Sequence, residues 1–168
     1  MRLSLLIFIS RGLNFIRSLS WRVMYATYRA KYGLNESFRF NGFYIQFYGE
    51  GRIEVGEDSY IGELSTIQAA SGCVVRIGSG CRISHNVRIY THSSVADADY
   101  SQAQVPEKQG DVVIGDFCWV GANVFINPDL TIGNNSVVGA NSVVTKDIPS
   151  DEIWGGVPAR LIRKKTIS

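Results

Sequence analysis

Between Ile114 and Pro149 an aliphatic residue recurs at every sixth position, and no other feature of the chain restricts its fold more. The series runs Ile114, Val120, Ile126, Ile132, Val138, Val144. Glycine follows in four of the six units, and the residue four places on is small or apolar: Cys118, Val124, Leu130, Ser136, Ser142 and Ile148. Such a period matches neither the turn of a helix, about 3.6 residues, nor the alternation of an isolated strand. It matches a parallel β-solenoid, in which short strands alternate with tight corners and each coil stacks on the one before.

The same register begins earlier. It runs through Val55, Ile61 and Ile67, shifts by four residues, and resumes at Ile77, Ile83 and Ile89. The inward small positions of these two blocks are expected to be Ser59, Ser65, Ser71, Cys81, Val87 and Ser93. Three units close one triangular coil, so about four coils are expected, a stack roughly 20 Å tall. The aromatic stretch from Phe38 to Tyr48 reads as a lead-in that covers the open edge of the first coil. Between Ser94 and Asp111 the register fails in a polar run containing Pro106 and Gly110, read as a loop (94–111) ejected from the wall. Long loops in compact domains are commonly functional. The fold class is therefore all-β: a parallel β-helix over 36–149, preceded by a helical segment (1–35) and closed by a short C-terminal cap with a basic tail (150–168).

Residues 1–35 differ in kind. They hold six cations and no acid before Glu36. The apolar run Leu3–Ile9 is shorter than the roughly 20 residues a membrane span requires. Arg11 follows it where a signal peptide would have a small-residue cleavage site. As a helix, the segment puts Arg11, Arg22 and Arg29 near one line and Leu5, Ile9, Leu13, Ile16 and Val23 on an apolar flank. Two readings stand: a helix packed on the solenoid or a neighbouring subunit, or peripheral contact of residues 1–30 with an anionic membrane surface.

Charge excludes one class of partner, since a net +2 over 168 residues gives no basic surface suited to nucleic acid. Cys73, Cys81 and Cys118 show no paired spacing, and Cys81 and Cys118, at inward positions, read as buried thiols of a reducing, cytoplasmic compartment. No CxxC or close Cys/His pair suggests a metal. Only two histidines are present, His85 and His92, neither at an inward position. His92 stands at the edge of the ejected loop, where Asp97 or Asp99 is within reach to orient an imidazole. Trp119, last in its unit, points outward.

The hexapeptide series, with INPDLTIGNNSVVGANSVVTKDIP and GGVPARLIRK, resembles the left-handed β-helix acyltransferases, in particular the galactoside/maltose acetyltransferase branch. The similarity covers residues from about 52 to 165. It implies the left hand of the helix, which the general preference of β crossovers would not have suggested. It implies a homotrimer with acetyl-CoA lying between neighbouring solenoids. It also implies a histidine that takes a proton from a sugar hydroxyl or amine, which then attacks the thioester. The cofactor positions implied are Ala122, Ala140, Thr145, Lys146, Arg160 and Arg163, and Trp119 matches a tryptophan near the acyl end. In the sugar acetyltransferases the histidine stands about two residues further along, where this chain has Ser94, so His92 and His85 both remain candidates for the base. The implied function is acetyl-CoA-dependent acetylation of a sugar; if residues 1–30 meet a membrane, the expected acceptor is a glycolipid intermediate of surface polysaccharide biosynthesis on its cytoplasmic face. A metal-dependent enzyme on the same architecture needs three histidines at each interface, more than this chain supplies. A non-catalytic scaffold binding through Trp119 and the basic N-terminus is the alternative.

Overall fold

The computed structural model describes residues 3–166. Helix α1 (Leu3–Tyr32) is followed by five rising coils. The first is β1 (Arg39–Asn41), β2 (Gln46–Tyr48) and β3 (Arg52–Val55); the second is β4 (Tyr60–Gly62), β5 (Thr66–Gln68) and β6 (Val74–Ile77). The third is β7 (Arg82–Ile83), β8 (Arg88–Tyr90) and β11 (Val112–Ile114), with β9 (His92–Ser94) and β10 (Glu107–Gln109) inserted before its last strand. The fourth is β12 (Trp119–Val120), β13 (Phe125–Ile126) and β14 (Leu130–Ile132). The fifth is β15 (Val137–Val138) and β16 (Val143–Val144), completed by a single bridge from Ile148 to Ile132. Strands β17 (Glu152–Gly155) and β18 (Arg160–Lys164) close the stack.

Successive coils pair in parallel and form three walls. Face A is β1-β4-β7-β12-β15-β17-β18, face B is β2-β5-β8-β13-β16, and face C is β3-β6-β11-β14. The stack extends below the hexapeptide register, because the aromatic segment read as a lead-in is itself a coil. Phe40 stands opposite Ile61 and Phe47 opposite Ile67, so bulky aromatics occupy the places aliphatics hold above.

The aliphatic series fills the interior. Ile61, Ile67, Ile83, Ile89, Ile114, Val120, Ile126, Ile132 and Val144 are fully buried. Each such side chain stabilises the fold by about 1.5–3 kcal/mol relative to exposure. The small inward position has a second duty, since its polar atom joins neighbouring coils. Ser59 Oγ donates to the Gly78 carbonyl at 2.7 Å and accepts from the Cys81 amide at 2.8 Å. Cys81 and Cys118 do the same upward, their thiols donating to the carbonyls of Gly115 at 3.0 Å and Gly133 at 3.1 Å. The Cys118 thiol is held well above its ordinary range by the Cys81 sulfur beside it and by burial. Two expected inward residues are exposed instead. Ser71 falls in the four-residue offset, where Cys73 turns in, and Ser93 has left the wall in β9.

Most corners take left-handed backbone at the fourth position of the unit. Asp58, Asn86, Asn123, Asp129, Asn135 and Asn141 all have φ between 54° and 63°, as short polar side chains tolerate. The helix joins the stack through its C-terminal half, from Arg17 over the Phe43 ring onward. Trp21, Tyr25, Tyr28 and Tyr32 pack on Tyr44, Phe40 and Phe47, with Tyr25 stacked on Phe40 at 4.3 Å. Tyr25 Oη donates to the Gly42 carbonyl at 2.9 Å, and burial pushes its pKa up to about 12. The apolar part of α1 is longer than Leu3–Ile9. The helix contains an 18-residue window of mean hydropathy 1.2, none of it buried, and meets the length and composition of a membrane span.

Candidate functional site

Two corners of the triangle, one at each edge of face B, hold the residues singled out in the sequence. At the corner between faces A and B, His85, Ala122 and Ala140 rise in one column. The His85 carbonyl accepts from the Asn123 amide at 3.0 Å, and the Ala122 carbonyl from the Asn141 amide at 2.8 Å. An amide ladder fixes this corner, Asn86 to Asn123 to Asn141, each step 2.9 Å. The coils approach so closely here that a Cβ on Gly121 would lie 2.5 Å from the Ala140 nitrogen. His85 is exposed, and no side-chain hydrogen bond holds its ring among the described residues.

Next to this column, on face A, lies a groove of about 490 Å³ that crosses the coils. Its floor is a ladder of the residues preceding each aliphatic: Tyr60, Arg82, Trp119 and Val137, aligned by strand register. Trp119 Nε1 donates to Ser84 Oγ at 3.3 Å. Lys165 enters from the tail, with Nζ donating to Asn135 Oδ1 at 2.7 Å. Arg160 and Arg163 lie on β18 at the edge of the same wall, exposed and without an acidic partner among the described residues. Arg82 and Lys165 make this groove cationic, a suitable environment for an anionic ligand. Of its residues, Tyr60, Arg82 and Phe117 were missed in the sequence. Counting one place back from each aliphatic, the count that marks Trp119, also finds Tyr60 and Arg82.

Phe117 is at the rim with φ 57°, a left-handed conformation that costs a bulky residue about 1–3 kcal/mol. Its ring lies over Gly80, where a Cβ would meet it at 2.5 Å. Leu64 bears the same cost at the equivalent place of its own unit, with φ 64°, but only Phe117 of the two lines the groove. Phe117→Asn, which suits the backbone, is expected to raise unfolding stability by about 1 kcal/mol while weakening whatever ligand the groove binds. Urea denaturation and titration of the variant check both.

The second corner, between faces B and C, holds His92, Thr145 and Lys146. Register places Thr145 over Asn127 and Asn127 over Tyr90, so the column ends next to His92, where the chain leaves the wall. The departing segment is not an open loop at its base. Strands β9 and β10 form an antiparallel hairpin with Gln109 opposite His92 and Glu107 opposite Ser94. Gly110 N–H donates to the Thr91 carbonyl at 3.0 Å and closes the exit. The hairpin places Glu107 Oε2 2.8 Å from His92 Nε2. Neither aspartate expected to orient the ring does so. Asp99 bonds Gln102 and Ser101 instead, and those hydrogen bonds hold its carboxyl down at about 2. Glu107 was invisible to local spacing because it lies fifteen residues from His92 and meets it only through the hairpin.

With Glu107 against Nε2 in a charge-pair contact, Nδ1 is the ring nitrogen left to accept a proton. His92 is 28% exposed and Glu107 57%, so the ion pair contributes at most about 1 kcal/mol to stability. Its effect is on ring orientation. Among the described residues no cluster of three or more His, Cys, Asp or Glu could hold a metal ion. In a single protomer the two corners, and hence the two histidines, are separated by the width of face B.

The bacterial transferase hexapeptide family (six repeats) matches residues 111–146. The chain is similar to the hexapeptide-repeat acetyltransferase VCA0836 of Vibrio cholerae, solved with acetyl-coenzyme A, at 32% identity and a TM-score of 0.70; the match covers 83% of this chain and 75% of that one. It is similar to a maltose O-acetyltransferase of Clostridium difficile 630 at 34% identity and a TM-score of 0.60, covering 79% and 72%. Galactoside O-acetyltransferase of Escherichia coli is 55% identical over 53 residues, 32% of this chain and 26% of that protein. The chain spans between about a quarter and two thirds of the length of the first curated relatives it matches.

Proposed function

Because the chain belongs to the hexapeptide-repeat acetyltransferases, we propose that it transfers the acetyl group of acetyl-CoA to a hydroxyl or amine of a sugar acceptor, with His92 as general base. The observation that carries this reading is the 2.8 Å contact between His92 and Glu107. His85 has no comparable support for its ring. Glu107 holds the tautomer, and Nδ1 of His92 takes the proton from the acceptor as its oxygen or nitrogen bonds to the thioester carbonyl carbon. The carbon–sulfur bond breaks, and the imidazolium returns the proton to the departing sulfur.

The separation of the two corners argues for assembly. Three copies arranged with face B towards a common axis bring the A/B corner of each against the B/C corner of the next. His92, Thr145 and Lys146 of one protomer then meet Ala122, Ala140 and the Trp119 groove of another. The small residues leave room for a pantetheine arm, and Lys146, Arg160 and Arg163 offer cations to phosphate groups. Relatives named for galactoside and maltose favour a sugar hydroxyl as the acceptor. Surface polysaccharide precursors on the cytoplasmic side supply such hydroxyls.

The test is turnover with acetyl-CoA and a panel of free and nucleotide-linked sugars, read as release of free thiol. Thiol release with at least one sugar is expected. Absence of acetyl-CoA binding by isothermal titration would remove the basis of the reading.

A further inference from the structure

The four aromatic residues that attach α1 to the solenoid, Trp21, Tyr25, Tyr28 and Tyr32, form one stripe at helical spacing. Continued towards the N-terminus, that stripe is polar over Ser18, Asn14 and Ser10, with Arg11 on its flank, and turns apolar again only at Ile7 and Leu3 in the first two turns. The opposite side carries Leu5, Phe8, Phe15, Ile16, Leu19 and Val23, and every one of them is exposed. Phe8 and Phe15 are 76% and 70% accessible. The apolar face therefore points away from the protein's own core, and no rotation of the helix compatible with its aromatic attachment would bury it there.

Charge indicates what covers it. The helix has no acidic residue along its length. Arg29 is engaged by the carbonyls of Asn35 and Phe38, and Lys31 by that of Gly49. Arg17 lies over the Phe43 ring at 4.7 Å and donates to Asn14 Oδ1 at 2.9 Å, which leaves Arg11 and Arg22 on the flanks of the polar side. Cations flanking a wide apolar face match the headgroup level of an anionic bilayer, with the hydrocarbon side chains below it. A perpendicular span fits less well, since Arg11 and Arg17 would both lie within the hydrocarbon, where charge is expensive. The polar stripe and the solenoid lie on the same side, so immersing the apolar face leaves the solenoid in water.

We infer that α1 lies in the interface of an anionic membrane and holds the solenoid on its surface, so that acceptors presented there meet the enzyme without leaving the bilayer. The docking itself does not depend on the proposed chemistry. Only the benefit to the acceptor does, so a failure of catalysis leaves the vesicle result interpretable.

The full-length protein is floated with vesicles of phosphatidylcholine alone and of phosphatidylcholine with phosphatidylglycerol. Binding is expected on the anionic vesicles and to weaken as salt rises. Changing Arg11 and Arg22 together to Gln should lower the affinity by about 30-fold, taking about a fivefold effect for each cation. A second variant, Phe8→Gln with Phe15→Gln and Leu19→Gln, should lose binding while circular dichroism shows the solenoid intact. Equal binding to both vesicle types, or none, overturns the inference. So does a change in oligomer mass caused by the apolar variant without lipid, which would assign the face to a second copy. Resistance of the membrane-bound protein to carbonate extraction from cells would instead show a span.

Discussion

Alanine at position 92 is expected to lower kcat by about 10²- to 10⁴-fold, the usual contribution of a positioned general base, with little change in KM for acetyl-CoA. Alanine at position 85 should leave kcat within a few-fold, because nothing holds that ring in a working orientation. Glu107→Gln separates the two duties a carboxylate can have. The pair is exposed, so the melting temperature should hardly move. The ring loses its fixed tautomer and direction, and misplacement of a catalytic group costs on the order of 10²-fold. Steady-state kinetics alongside a thermal melt distinguishes this from a structural role, in which both readouts would fall together. An unaffected kcat in His92→Ala would refute the assignment of the base.

The second expectation concerns how the site is assembled. If each catalytic slot takes His92 from one protomer and the Ala122–Ala140 column from its neighbour, two inactive variants should rescue each other. One is His92→Ala; the other is Ala140→Tyr, which fills an exposed corner without disturbing the core. Random mixing of equal amounts in a trimer leaves one intact slot of three in about three quarters of the assemblies, so about a quarter of wild-type activity should return. A site contained within one protomer predicts no recovery. The comparison requires co-expression or refolding together, followed by an activity assay at matched protein concentration.

The wall of the solenoid was legible because its physics repeats. A buried aliphatic, a tight corner and a small residue reaching the next coil recur at fixed spacing, and Ile114 to Ile148 holds that spacing without interruption. The first coil was hidden because Phe40 and Phe47 do the work of aliphatics, and aromatics there read equally well as an edge cover. The site was legible in part. His92 and Trp119 stood out because each departs from the repeat. Glu107 did not, because it sits in a polar strand with no periodic signal and acquires meaning only through the antiparallel pairing of 107–109 with 92–94. Phe117 looked ordinary until its backbone angle showed a bulky residue where, Leu64 apart, the left-handed corners of the hexapeptide register use Asn, Asp or Gly.

The final strand also decides what the molecule does not do. Along face A every strand from β1 to β17 is laid down in the same direction, and β18 runs back against its neighbour. A prism ending on a strand of the common polarity would offer the underside of an identical molecule a matching row of amides and carbonyls, and stacking could continue without limit into fibres. The reversed strand offers the wrong polarity for that continuation, while the aromatic turns of α1 occupy the other end. The same closing hairpin that brings Lys165 to the groove, with Arg160 and Arg163 beside it, therefore also blocks continuation of face A.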